Sequence, residues 1–237
     1  MYSMFQNCSS LTSLDLSSFN TSQVTKMYSM FQNCSSLTSL DVSGFNTANV
    51  TSMDDLFNGC SSLTSLDVSG FNTANVKSME RMFAGCSSLT SLDLSSFNTS
   101  KVTEIVAMFR SCSNLQIIYA GNGWSTAAVT YSNYMFEGCT SLVGGMGTTY
   151  DADHIDASYA HIDGGPDNPG YFTEKPAFKL GDVHGDGVVD IDDVTMQINV
   201  VLGNPVTGFI SANADLNGDE RIDIDDVTLM INMVLGN

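Results

Sequence analysis

The feature that most constrains this chain is translational repetition. Leu11, Leu37, Leu63, Leu89 and Leu115 stand 26 residues apart; Cys8, Cys34, Cys60, Cys86 and Cys112 keep the same step, and Cys139 follows after 27. At that period each unit is one supersecondary element that cannot cover its own apolar face. The units must therefore stack, and the first part of the chain reads as a solenoid.

The unit at 63–88, LTSLDVSGFNTANVKSMERMFAGCSS, shows the pattern. Leu63, Leu66 and Val68, with Ser65, Asp67 and Ser69 between them, suit a strand with one buried and one wet face. Val76, Met79, Met82, Phe83 and Cys86 follow at steps of three and four, which is helix spacing. Thr73 serves as N-cap and Gly85 as helix stop. Each unit thus reads strand, turn, helix, turn, and the strands pair into one parallel sheet.

The pattern L-x-x-L-x-L resembles a leucine-rich repeat. The longer signature, L-x-x-L-D-L/V-S-x-F-N-T-x-x-V-x-x-M-x-x-M/L-F-x-x-C, resembles the repeats of BspA-like bacterial surface proteins, over roughly residues 1–172. The resemblance implies an α/β solenoid, with a parallel sheet on the concave face and short helices on the convex face. Phe19, Phe45, Phe71 and Phe97 hold the site usual for a ladder asparagine, so a phenylalanine spine is expected there.

The outward strand positions repeat as Ser-Asp-Ser. With strands about 4.8 Å apart, Asp15, Asp41, Asp67 and Asp93 form a carboxylate row. Two readings stand: a solvated edge in which neighbouring Ser hydroxyls serve each Asp, or a binding strip for a cation or a hydroxyl-rich ligand. The six Cys share one inward position beside Phe, so they read as a ladder of buried free thiols rather than a disulfide framework.

Net charge is −18, and half of it lies in residues 173–237. Nucleic acid is an unsuitable partner, because phosphate binding needs clustered Lys and Arg. An anionic membrane surface is disfavoured for the same reason. No apolar run approaches the ~20 residues of a membrane span, and no signal peptide opens the chain. Met1 aligns with Met27 and Met53 inside a unit, which leaves the array uncapped. A longer parent protein, with its export signal upstream, is expected.

The array is placed at 1–147, with a partial first unit. Its last unit departs from the rest: Tyr119 replaces the row Asp and could stack on a sugar ring, and Trp124 replaces the spine Phe. Residues 148–172 read as a cap. His154 and His161, with Asp151, Asp153, Asp156 and Asp163, suggest a metal site. The stronger reading is that Ile155, Tyr159, Ile162, Tyr171 and Phe172 form an apolar lid and the polar residues face water. The stretch A-H-I-D-G-G…N-P-G-Y-F also resembles the closing segment after BspA-like repeats. Residues 173–180 read as a linker stiffened by Pro176.

Residues 181–237 hold a different duplication. GDVHGDGVVDIDDVTMQINVVLGN at 181–204 matches ADLNGDERIDIDDVTLMINMVLGN at 214–237. Asp182, Asp186, Asp190 and Asp193 occupy loop positions 1, 5, 9 and 12, as do Asp215, Asp219, Asp223 and Asp226. Oxygen ligands at odd positions, closed by a carboxylate at position 12, are what Ca²⁺ demands. Position 7 offers the carbonyl of Val188 or Arg221, and position 3 is His184 or Asn217. Imidazole is a poor ligand for so hard a cation. Glu220 sits where a glycine normally relieves a left-handed turn, at a cost of about 1 kcal/mol. Each loop leads into a helix with Val194, Ile198, Val201 and Leu202, or Val227, Ile231, Val234 and Leu235, on one face.

Two such halves without entering helices resemble a type I dockerin, a small all-α domain. The resemblance implies two bound Ca²⁺ and a cohesin partner chosen through loop positions 10 and 11, here Ile191–Asp192 and Ile224–Asp225. Identical pairs in both halves allow docking in two orientations.

The expected protein is a non-catalytic, monomeric interaction protein at a bacterial surface or outside the cell. Its repeats bind a protein or glycan, and its dockerin tethers it to a cohesin-bearing scaffold. No acid/base carboxylate pair, partnered nucleophile or phosphate loop argues for catalysis. The alternatives are a free-standing adhesin with a Ca²⁺-stabilised end module, or a fragment of a polysaccharide-degrading enzyme whose catalytic domain lies upstream.

Overall fold

The computed structural model describes residues 1–175, 179–186 and 188–236. It divides into two compact units, Met1–Lys175 and Pro176–Asn237. Pro176, the expected stiff point, lies outside the described residues.

In Met1–Lys175 hydrogen bonds join each 26-residue unit to the next, but the units are built of turns rather than helices. Two sets of bonds alternate. Phe57 and Gly59 donate to Met82 and Ala84 of the following unit at 2.9 and 2.7 Å, whereas Leu56, Asn58 and Cys60 close tight turns onto Met53, Asp55 and Phe57 at 3.1–3.2 Å. A helix needs every N–H within its own segment; here alternate N–H groups leave it. The reading of Val76–Cys86 as a helix is therefore corrected. Arg81 and Gly85 take left-handed φ of 51° and 70°, which breaks any helix twice within one turn's length. Asp55 and Gly59 repeat this one unit earlier, at 56° and 74°. Tight turns return the chain inward every three or four residues, so they reproduce the helical spacing of buried side chains. The one helical segment described here is a 3-10 turn, Ala157–Tyr159.

Thr73 is likewise no N-cap. It is buried, its hydroxyl donates to the Asn98 carbonyl at 3.0 Å, and it accepts the Asn98 N–H at 2.8 Å. Thr21 and Thr47 clasp Asn46 and Asn72 in the same way. This threonine column satisfies backbone groups that stacking would otherwise bury unpaired.

The expected sheet through all units is also corrected. Three parallel strands form: β1 (Ser91–Leu94), β2 (Ile117–Ala120) and β3 (Phe172–Glu174). Asp93 pairs with Tyr119, and Tyr119 with Thr173. Strand structure begins beside IIYA and FTE, whose β-branched and aromatic residues favour it. Thr173 and Glu174, read as linker, lie in β3.

The core holds two aromatic columns. Phe45, Phe71 and Phe97 are buried, as the spine reading requires. The continuous stack is a second column, Phe5, Phe31, Phe57, Phe83, Phe109 and Phe136, with successive ring centroids 5.6–5.8 Å apart. Beside it Cys34, Cys60, Cys86, Cys112 and Cys139 are buried and free. Each thiol donates to a Phe carbonyl of an earlier unit, as Cys86 does to Phe57 at 3.2 Å. Burial pushes the Cys34 thiol up to about 11 and those of Cys60 and Cys139 to about 12.

The closing segment ends this stack. The Phe136 N–H, which in earlier units would reach the next repeat, donates to Ile155 at 2.9 Å. Tyr171 and Phe172 are fully buried, and Trp124 meets Phe172 edge-on at 4.9 Å.

In Pro176–Asn237 two helices form, α1 (Ile191–Val201) and α2 (Ile224–Leu235), with a 3-10 turn at Ser211–Asn213. Asp190 and Asp223 cap them. In both, the residue three positions on, Asp193 or Asp226, returns a side-chain bond to the cap N–H, completing a capping box. Val183, Val194, Ala214 and Met230 make the small core cluster.

Candidate metal loops and a duplicated helix face

Each loop is shaped by its own carboxylates accepting backbone N–H groups. In loop 1, Asp182 Oδ1 accepts from Gly185 and Asp186 at 2.7 and 3.1 Å. Asp193 Oδ1 accepts from Val183 at 2.8 Å and His184 at 3.2 Å, and Oδ2 accepts from Asp190 at 2.9 Å. Loop 2 repeats the scheme. Asp215 Oδ1 takes Gly218 and Asp219 at 2.7 and 3.2 Å, and Asp226 takes Leu216 and Asn217 through Oδ1 and Asp223 through Oδ2. Asp182, Asp193 and Asp226 are fully buried. Burial raises the carboxyls of Asp193 and Asp226, but the hydrogen bonds they accept outweigh it and hold both below the usual range.

The loops differ at position 3. The His184 ring lies among the carboxylates, with Nδ1 2.8 Å from Asp193 Oδ1 and Nε2 3.1 Å from Asp186 Oδ2. Its bond to Asp193 raises its pKa. Asp182, His184 and Asp193 bring ligand atoms within 4.8 Å of one another, and among the described residues they form the one such group. In loop 2 the counterpart Asn217 turns its Oδ1 to the Asp219 N–H at 2.9 Å. Asp219 in turn accepts from Arg221 at 3.0 Å, as Asp186 accepts from Val188 at 2.8 Å. Loop 2 thus presents oxygen donors throughout and suits a hard cation. Loop 1 suits a divalent ion too, with one nitrogen donor among its oxygens.

The helix faces depart from expectation. Asp193, Val194 and Gln197 are buried on α1, and Asp226, Val227 and Met230 on α2. Ile198, Leu202, Ile231 and Leu235 are exposed rather than core. With Ile191 and Ile224, 64 % and 62 % exposed, they fall at steps of seven and four. That spacing puts Ile191, Ile198 and Leu202 on one stripe, and Ile224, Ile231 and Leu235 on its duplicate. Asp192 and Asp225 are exposed beside them.

Sequence reasoning missed two buried amides. Gln197 Nε2 donates to the Ala214 carbonyl at 2.8 Å, and Asn213 Nδ2 donates to the carbonyl of Asp182, so residues before loop 2 are tied to α1 and to loop 1. The available signal was Gln197 standing where the second half has Met230.

Asp163, read as facing water, is buried instead. Its carboxylate accepts from the backbone of Met146, Thr148 and Gly165 at 2.9–3.0 Å and from the Thr148 hydroxyl at 2.8 Å. Gly144 packs so closely that an added Cβ would lie 2.1 Å from the Gly170 oxygen. The glycine density at 144–147 was the signal.

Along the repeats, Asp15, Asp41, Asp67 and Asp93 each accept the N–H of the Ser two residues on, at 2.9 Å. Ser17 and Ser43, through hydroxyl and backbone, lower the pKa of Asp15 and Asp41. Asp93 also pairs with Lys175. Tyr119 stands beside Asp93 in the sheet. His154 stacks on Tyr159 at 4.3 Å.

Residues 1–120 and 66–162 match the family model described as "Mycoplasma protein of unknown function, DUF285", and the chain belongs to that family. Residues 180–235 match the dockerin type I domain, a module known to bind calcium. A chain in the crystal structure of the CaDoc0917–CaCohA2 complex at pH 5.4 is 36% identical over 25% of this chain and 100% of its own, with a TM-score of 0.24. A second, in that complex at pH 5.5, is 35% identical over 24% of this chain and 95% of its own, with a TM-score of 0.24. No curated protein matches the chain. Among the described residues no helix is long and apolar enough to cross a membrane.

Proposed function

We propose that Pro176–Asn237 is a calcium-ordered docking module whose partner is a cohesin. The observation that carries this is the duplicated exposed stripe, Ile191–Ile198–Leu202 and Ile224–Ile231–Leu235, set beside capped acidic loops in a segment matching a dockerin model. Buried carboxylates at the loop ends need a cation or donors to offset their desolvation, and two Ca²⁺, one per loop, would supply charge that the N–H groups lack. Apolar side chains so exposed on a small module mark a contact surface. Asp192 and Asp225 beside them add selectivity.

The repeat units are non-catalytic in this reading. They are a leucine-rich, BspA-like display surface for a protein or glycan, with the Asp15–Asp41–Asp67–Asp93 row and Tyr119 as its contact strip. The whole is a monomer working outside the cell or at its surface, where cohesin-bearing scaffolds are found.

Titration calorimetry of the full chain against a panel of cohesin modules, with Ca²⁺ and with EGTA, tests it. Binding should require Ca²⁺. Ile191→Asp or Ile224→Asp alone should leave affinity nearly intact, because the other half serves. The double variant should lose at least about thirtyfold, the value of one interface hot spot. Equal binding by the double variant, or binding by no cohesin, overturns the proposal.

A further inference from the structure

The two loops match in length and in their Asp positions, yet they present different donor atoms. At loop 2, position 3 is an amide whose oxygen already serves the loop. At loop 1 it is an imidazole held inside the ring of carboxylates, touching Asp193 with one nitrogen and Asp186 with the other. His184 has not swung out to solvent, as an incidental substitution on a surface loop would. It is mostly buried, and its donor atom lies with those of Asp182 and Asp193 inside a 4.8 Å span. That span suits a single ion with bonds of about 2.0–2.4 Å.

Calcium takes oxygen ligands and six to eight of them, whereas imidazole suits zinc and its neighbours. A buried ring also removes one oxygen position and the room for high coordination. We propose that loop 1 is a mixed imidazole–carboxylate site, built by Asp182, His184 and Asp193 with Asp186 adjacent, that selects a Zn²⁺-class ion over Ca²⁺, while loop 2 remains the calcium loop. The module would then carry two different metals at two otherwise duplicate sites. This deepens the calcium-ordered reading given above and rests on it for loop 2.

The test uses the full chain, stripped with chelator and dialysed, in calorimetric titrations with Zn²⁺ and Ca²⁺ separately and in competition. The wild type should bind one Zn²⁺ that a tenfold excess of Ca²⁺ does not displace, and one Ca²⁺ more. His184→Asn, which copies the loop 2 residue, should weaken that Zn²⁺ by at least about tenfold and gain a second Ca²⁺. Asn217→His should create the reverse: a second Zn²⁺ and no Ca²⁺. Helix content by circular dichroism reports folding of each variant. Zn²⁺ binding unchanged in His184→Asn would overturn the proposal, since the zinc would then sit elsewhere, as would two equal Ca²⁺ sites in the wild type that exclude Zn²⁺. Zinc binding as expected with no Ca²⁺ at either loop would leave this inference standing and remove the calcium step from the docking reading.

Discussion

Both regions of this chain are made by duplication, but they hold together by opposite means. In Met1–Lys175 each copy supplies what the next lacks. Phe83 donates its N–H to Met108, stacks its ring on Phe57 and Phe109, and lies beside a thiol that donates to a carbonyl of an earlier unit. Nothing in that scheme calls for an ion. In Pro176–Asn237 there are two copies, a core cluster of four buried residues, and three fully buried carboxylates. A core so small rarely supplies enough stability alone, and the carboxylates add to the deficit. Repetition along an axis removes the need for a metal; a single pairing of acidic loops creates it.

Removal of divalent ions is the sharpest way to break that contrast, and it has the largest expected effect. Both α-helices lie in the second region, so the far-ultraviolet helix signal reports that region almost alone. EGTA should abolish most of it, and excess Ca²⁺ should restore it. Each occupied site contributes about 2.7 kcal/mol at a hundredfold excess over its Kd. The thermal transition of Met1–Lys175 should stay where it was. A helix signal that survives chelation would mean the small core suffices, and the contrast would fail.

Within the first region the exception is Asp163, the buried carboxylate in a cradle of N–H groups. Burial pulls its pKa up, but the bonds from Thr148, Gly165 and Met146 win and hold it at about 2. A folded pKa below the unfolded one contributes stability above the unfolded value, lost as pH falls. The first transition should therefore weaken between about pH 4 and pH 2. Asp163→Ala should lower stability by about 3 kcal/mol at neutral pH by orphaning those donors, and should flatten that acid dependence. Melting scans from pH 7 to pH 2 on both forms measure it. An unchanged acid slope in the variant would assign the dependence to other groups.

How much of this was legible follows from what repeats. The period, the buried Leu, Met and Phe positions, the Cys column and the two Asp-rich loops could be read, because side-chain identity recurs with burial. The turns could not. Steps of three and four at Val76, Met79, Met82 and Phe83 serve a helix and a chain of tight turns alike, and what separates them is the backbone at Arg81, a residue with no preference for left-handed φ. The regular offset of 26 residues hid the destination of each N–H, since inter-unit bonds leave no mark on composition. His184 was legible as an odd ligand, but its place inside the carboxylate ring depends on how the loop folds.

The smallest effect tests how well loop 2 fits its fold. Glu220 sits at φ 67°, where a side chain costs about 1 kcal/mol, and its N–H still reaches Asp215 Oδ2 at 2.9 Å. Glu220→Gly should relieve the strain, offset in part by the larger entropy of an unfolded glycine. A net gain of about 0.5 kcal/mol is expected at saturating Ca²⁺, read as a rise of a few degrees in the second transition. The substitution also removes a negative charge from a strongly acidic module, which would stabilise it without any backbone relief. Glu220→Ala separates the two causes, because alanine loses the charge and keeps the strained φ. If glycine stabilises and alanine does not, backbone strain is the source; if both stabilise equally, charge repulsion governs this loop and the left-handed turn costs it little.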